Sequence, residues 1–531
     1  EHPPGHPGVL RSIGIPVLVM KRTAILNVVG LTPALLGEHT PRLRQFAARG
    51  RVLTIRPAFP AVTCTAQATY LTGLTPAGHG IVGNGWYHRE VAEVHFWKQS
   101  NHLVHGRKLW ERLRAPTPIT HHQSPTTNHQ SPITDSPAPG ARPFTCAKLF
   151  WWFNMYSSAD YSITPRPIYP ADGRKIFDIY TWPYAIRTEI KRDLGEFPFA
   201  TFWGPAAGVR SSQGAPDAAT RWIAEAAKWI ETRFQPTLSL VYLPHLDYNL
   251  QRHGPFQTPS TSGPKPGAKP SGAQRALNPA IVPDLRAVDA IVGDLLDFFH
   301  ARDVQVVVLS EYGLTNVTTP IHLNRLFRQR GWLALKEELH WEQLDCGASR
   351  VFAVADHQIA HVYLNDPTLE HPVRELLEQC EGIEAVLGRE EQAAWGVAHP
   401  RAGDLIAVAR EHAWFTYYFW LDDARAPDYA RTVDIHRKPG YDPVELFTDP
   451  ALSPLALRAK IAWRLLQKKL GLRMLMDVIP LDPSLVKGSH GRRPLDPRDW
   501  PVLICERGDW AGPPTLEATE VFDALVRWVL D

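Results

Sequence analysis

The sequence predicts an α/β fold: a mostly parallel β-sheet covered by helices on both faces. Continuous apolar, β-branched runs recur along the chain with helix-like segments between them. Strands apolar on both faces belong to parallel sheets buried between helix layers. Each run also closes on polar residues, at the carboxyl edge where such sheets bind ligands. Ala24–Leu31 (AILNVVGL) comes first and precedes a polar helix over His39–Arg49. Ile55–Val62 ends on Thr63, and Thr237–Leu246 ends on Asp247. A helical stretch, Val288–Arg302, leads into Val304–Leu309, which ends on Ser310–Glu311–Tyr312–Gly313.

A second block, Ser349–His412, reads as a smaller α/β unit: a strand over Arg350–Leu364, a helix over Pro372–Glu381 and a strand over Asp404–Arg410. This divides the chain into a main part at 20–345, a small unit at 346–440 and a return to the main part at 441–531. Two stretches read as low-complexity insertions. Residues 115–143 carry a near-duplicate heptad, HHQSPTT then NHQSPIT, whose His121, His122 and His129 read as part of an exposed loop. Residues 257–274 are rich in Pro, Gly and Ser and read as a flexible loop.

Composition narrows the function. The chain has 531 residues, 44% hydrophobic and 21% charged, as in ordinary globular proteins. A formal charge of +3 suggests no nucleic-acid partner. No apolar run approaches the roughly 20 residues that a spanning helix needs, so no membrane span is expected. Five cysteines without CxxC spacing exclude a disulfide scaffold or zinc module and point to a reducing, cytoplasmic setting.

The richest segment is Phe59–Asn84, FPAVTCTAQATYLTGLTPAGHGIVGN. A hydroxyl between a strand and a helix start sits where backbone N–H groups and the helix dipole favour an anion. Thr63 is therefore placed to attack phosphorus, given a nearby cation to stabilise its oxyanion. Spacing alone reads it first as the N-cap of the helix.

This segment resembles the nucleophile motif of the nucleotide pyrophosphatase/phosphodiesterase and phosphonoacetate hydrolase branch of the alkaline phosphatase superfamily. Thr63 lies nine residues before Thr72, and Pro76 with His79–Gly80 completes the pattern. The resemblance implies an alkaline-phosphatase-like fold with a smaller inserted cap. It also implies one or two divalent ions (Zn, Mn or Mg) and hydrolysis of a small-molecule phosphate ester through a phospho-threonine. Asn84, closing the motif, is expected to contact substrate. For the first metal it implies Asp247, position 251 and His490, where Gln251 replaces a histidine. For the second it implies Thr63 and the Ser–Asp–His–Gly motif, which here reads Ser310–Glu311–Tyr312–Gly313. The first-strand aspartate of the family is Val29, and Asn27 lies too far back along the strand to replace it directly.

Replacement groups are available in Asp356, His357 and His361 and in Asp434 and His436, although His357 and His361 read first as half-buried strand histidines with satisfied hydrogen bonds. Arg437 and Lys438 suit phosphate contact or a solvated surface pair. The aromatic runs Phe150–Tyr156 and Trp414–Leu421 read as core packing before base stacking, and Thr164–Lys175 reads as a polar loop able to cover a site. Three readings follow: a phosphodiesterase or pyrophosphatase-like hydrolase, a non-catalytic relative that binds a ligand or partner, and a phosphonate hydrolase or phosphoryl transferase with a rebuilt site.

Overall fold

The protein is described by a computed structural model covering residues 20–114, 143–257 and 275–530, apart from 173, 213 and 509. The two low-complexity stretches, with His121, His122 and His129, lie outside the described residues except at 143 and 257.

In chain order the strands of the two principal sheets are Thr23–Val28 (β1), Arg51–Arg56 (β2), Cys146–Leu149 (β3), Tyr161–Pro165 (β4), Ile179–Trp182 (β5), Leu238–Leu243 (β6), Gln305–Leu309 (β7), Val351–Asp356 (β8), Ile359–Leu364 (β9), Ile383–Leu387 (β10), Leu405–Ala409 (β11), Val502–Cys505 (β12) and Thr515–Glu517 (β13). The helices that matter below are Pro41–Arg49 (α1), Thr63–Thr72 (α2), Ala218–Phe234 (α3), His245–His253 (α4), Val282–His300 (α5), Glu370–Glu378 (α6), Pro454–Lys469 (α7) and Glu520–Leu530 (α8).

The central sheet has nine strands in the order β13-β2-β12-β7-β1-β6-β3-β4-β5. The run β7-β1-β6-β3-β4 is parallel, and β12 and β5 are antiparallel to their neighbours. Every residue of β1 and β6 is buried, as expected for strands covered on both faces. One helix group includes α1, α3 and α5, and another joins α2 to α8. This is the mostly parallel, helix-flanked sheet that the apolar runs predict.

The small unit is an antiparallel sheet, β8-β9-β11-β10, with α6 beside it. The segment expected as one strand over Arg350–Leu364 is instead a hairpin. The turn falls at His357, whose φ of 63° lies in the left-handed region. The polar triplet Asp356–His357–Gln358 that breaks the apolar run carries no Gly, Pro or Asn to mark a turn. Ile359 of β9 and Ile406 and Val408 of β11 share a core cluster with Phe59, Cys64, Ala68 and Val82, so the small sheet packs directly behind α2.

Two glycines permit close approaches. Gly73 caps α2 with φ 70° and donates to Thr69 O, and a Cβ there would lie 3.2 Å from Phe522 of α8. Gly491 has φ 119°, and a Cβ there would lie 2.9 Å from the Gln358 nitrogen.

His79 of the nucleophile motif is structural. Its Nδ1 accepts from the Ile81 N–H at 3.1 Å, leaving Nε2–H for the Thr69 hydroxyl at 3.0 Å. Burial, with His399, His105 and Arg401 nearby, lowers its pKa from 6.5 to about 3. Between those values the unfolded chain takes up a proton that the folded chain refuses, so acid lowers stability there. Denaturant unfolding should show stability falling between pH 7 and 5. His79→Gln should flatten that slope while costing about 1–3 kcal/mol at pH 7 through weakened buried hydrogen bonds; an unchanged slope would contradict the assignment.

Candidate active site

The carboxyl ends of three adjacent parallel strands, β1, β6 and β7, open onto one spot. Asn27 lies near the end of β1, Asp247 on the first turn of α4 after β6, and Glu311 with Tyr312 directly after β7. Thr63 is the first residue of α2 and only 4% exposed. The N-cap is Val62, so the hydroxyl of Thr63 is not spent on capping its own helix. His490 arrives from the distant carboxyl-terminal segment. Its backbone carbonyl accepts from Gln358 N, and Gly491 O accepts from Ala61 N, both at 2.8 Å. The segment thus ties the threonine's approach strand to the hairpin of the small sheet.

The structure brings Thr63, Asp247, Gln251, Glu311, Tyr312 and His490 into one buried cluster. Tyr312 OH donates to Asp247 Oδ1 at 3.3 Å and lies 3.2 Å from Thr63 Oγ1. With the phenol proton directed to the carboxylate, the phenol oxygen is able to accept the threonine proton. Gln251 Nε2 donates to Asp247 Oδ2 at 2.7 Å, while Gln251 Oε1 accepts from Tyr441 OH at 2.9 Å. Glu311 Oε1 accepts from Asn27 at 2.5 Å and also from Gln67. His490 Nδ1 donates to Ala61 O at 2.8 Å, which leaves Nε2 as a bare lone pair with no partner, 4.0 Å from Asp247 Oδ1.

The rings form a column. Tyr312 stacks on His490 at 3.6 Å and 8°, His490 meets His357 at 3.8 Å with the rings tilted by 36°, and His357 stacks on Tyr441 at 3.6 Å. His357 Nδ1 lies 2.7 Å from Asp356 Oδ1. Asn84 joins this dyad to the nucleophile helix: its Nδ2 donates to Asp356 Oδ1 at 3.0 Å, its backbone N to Oδ2 at 2.7 Å, and its Oδ1 accepts from Cys64 N. Burial raises Asp247 to about 7, Glu311 to about 8 and Asp356 to about 6, and it holds His490 and His357 well below the usual imidazole range. The hydrogen bonds from Gln251 and Tyr312 to Asp247 oppose its rise.

The remaining sequence candidates fall elsewhere. His361 bonds the Val82 carbonyl and the Gly403 N–H within the small sheet's packing. Lys438 is buried in a pair of 2.7 Å ion bridges to Asp442 and Glu445, rather than exposed on the surface, and Arg437 pairs with Asp428. His436 bonds Phe96 O. Trp414 and Tyr417–Trp420 are core. Sequence reasoning missed Gln67 and Tyr441. Gln67 stands one helical turn after Thr63, a spacing that would have placed both on one face; Tyr441 carried no signal.

A family model for type I phosphodiesterase / nucleotide pyrophosphatase matches residues 23–442. The chain belongs to this family. Among solved structures it is similar to phosphonoacetate hydrolase from Sinorhizobium meliloti 1021 in complex with phosphonoformate, at 14% identity and TM-score 0.54, with 96% of this chain and 97% of that one covered. It is also similar to murine ectonucleotide pyrophosphatase / phosphodiesterase 5, an inactive threonine-to-alanine variant in complex with AMP, at 11% identity and TM-score 0.51, covering 96% and 95%. At these identities the likeness shows the fold. No curated protein matches the chain.

In this phosphodiesterase family member the donor set expected for one or two divalent ions does not fit that role. Both oxygens of Asp247 already accept hydrogen bonds, from the two residues, Gln251 and Tyr312, that replace histidines in the family pattern. Gln251 Oε1 is taken by Tyr441, and Tyr312 is held neutral because burial drives its pKa far up. Among the described residues, no three His, Cys, Asp or Glu side chains converge in a metal-holding group. Protein donors thus compete for the oxygens of Asp247 and Gln251, and of the expected ligand atoms only His490 Nε2 and Glu311 Oε2 remain without a partner.

Asn84→Ala should lower stability by about 1–3 kcal/mol, because it removes the side-chain donor to the buried Asp356 carboxylate and strands the Cys64 N–H. Denaturant midpoints check this, and a loss below about 0.5 kcal/mol would remove Asn84 from the clamp.

Proposed function

We propose that this phosphodiesterase family member hydrolyses a small phosphate ester, of the phosphodiester or pyrophosphate class, with Thr63 as nucleophile. The observation that carries this reading is the hydrogen-bonded line from Thr63 through Tyr312 to Asp247. Thr63 Oγ1 would form a bond to phosphorus as the ester oxygen leaves. Its proton would pass to the phenol oxygen while the phenol proton passes to Asp247. The amino-terminal end of α2 adds the positive pole of its dipole next to the attacked phosphate. Water would then attack phosphorus and, as the bond to Thr63 Oγ1 breaks, Asp247 would return its proton through Tyr312 to that oxygen, while the water's proton leaves with the released inorganic phosphate or phosphate monoester. The inactivity of the threonine-to-alanine variant of the murine relative supports giving Thr63 this role.

The test is turnover of bis(p-nitrophenyl) phosphate, a nucleotide p-nitrophenyl ester and phosphonoacetate. Thr63→Ala should abolish turnover, and Tyr312→Phe should lower kcat about 10²–10⁴-fold with little change in KM. Undiminished turnover in Thr63→Ala would discard the nucleophile. One observation favours a second reading, a non-catalytic ligand-binding relative: the hydrogen bonds around Asp247 are closed by protein groups. That reading is selected if the native chain turns over none of these substrates, with or without added Mn²⁺, Zn²⁺ or Mg²⁺. Turnover that appears only with a metal would instead restore a metal-dependent hydrolase.

A further inference from the structure

Helix α7 lies outside the core, and none of its residues is buried. One row faces inward. Leu457 and Ile461 rest on the cluster of Trp414, Val444, Val478 and Ile479, and Lys460 and Arg464 bridge to Asp477 at 3.1 and 3.0 Å. The opposite row, Leu455, Ala459, Ala462, Trp463, Leu466 and Leu470, follows the i, i+4, i+7, i+8 spacing of a single helical stripe. Leu455 is 79%, Trp463 55%, Leu466 45% and Leu470 64% exposed. Single exposed apolar residues are ordinary, but a continuous row of large ones marks an interaction surface.

Charge says what covers it. From Pro454 to Met476 the chain carries six basic residues and no acidic one. Arg458, Lys468, Lys469 and Arg473 are exposed and have no carboxylate partner among the described residues. Arg458 and Lys469 border the stripe on one flank. The whole-chain charge of +3 conceals this local concentration.

We propose that α7 docks the protein on an anionic lipid surface. The helix would lie in the plane of the headgroups, with Leu455, Trp463, Leu466 and Leu470 among the upper acyl carbons and the basic rim against lipid phosphates. At 1.5 Å per residue it is about 24 Å long, and no helix of the described residues is long and apolar enough to cross a membrane. A second copy is a poorer occupant. A two-fold pairing of this face would set its own unpaired cations against one another.

Vesicle co-sedimentation of the full chain tests the proposal. Binding to vesicles of phosphatidylcholine with about one-third phosphatidylglycerol should exceed binding to pure phosphatidylcholine at least about tenfold at moderate salt, and should weaken at high salt. Leu466→Glu with Leu470→Glu should lower binding to the anionic vesicles by at least about tenfold. Arg458→Glu with Lys469→Glu should remove the anionic preference. These side chains are exposed, so thermal melting should stay close to that of the native chain. No binding to anionic vesicles, unchanged binding of the leucine variant, or a lipid-free self-association abolished by that variant would each overturn it. None of these outcomes depends on whether Thr63 is catalytic.

Discussion

The close approach of the His490–Gly491 segment is the constraint on which the site depends. Within two residues it bonds the backbone before α2 and the hairpin of the small sheet, and it places an imidazole against Tyr312. A side chain at position 491 would meet the Gln358 nitrogen, so only glycine lets the two sheets close on the threonine. The ring column and the Asn84–Asp356 clamp follow from that closure. They bring residues hundreds of positions apart in sequence into a single buried polar cluster.

That cluster illustrates how a buried polar site stays stable without a counter-charge. Carboxylates taken out of water need protons, cations or hydrogen-bond donors. Here donors come from neutral amides and phenols: Gln251, Tyr312, Asn27 and Gln67. Three acceptors, Asn27 Oδ1, His490 Nε2 and Glu311 Oε2, stay unsatisfied. Native proteins leave few such atoms, and they concentrate where a ligand or a reaction uses them.

Much of the fold and part of the site were legible in the sequence. Unbroken β-branched runs between helical stretches can be buried only in a two-sided parallel sheet, so the fold class followed from patterning. The strand-edge rule singled out Thr63, Asp247 and Glu311, and all three reach the carboxyl edge of the sheet, although the strand expected over Ile55–Val62 is Arg51–Arg56 and Thr63 opens the following helix. The turn at His357 was not legible, since no Gly, Pro or Asn marks it and His357 takes the left-handed conformation in their place.

What the sequence could not decide was how the replaced residues are used. Gln251 and Tyr312 read equally as lost ligands or substitute ligands, because spacing identifies positions but not the direction of a hydrogen bond. Only the packed structure turns the Gln251 amide nitrogen toward Asp247, through the Tyr441 hydroxyl that claims its oxygen. Likewise the basic and apolar residues of Pro454–Met476 were present in the sequence as composition. Their division into an inward ion-paired row and an outward apolar stripe arose only when one face of the helix met the core. Sequence sets which groups a chain carries and with what periodicity; long-range packing decides which of their lone pairs, protons and faces remain free.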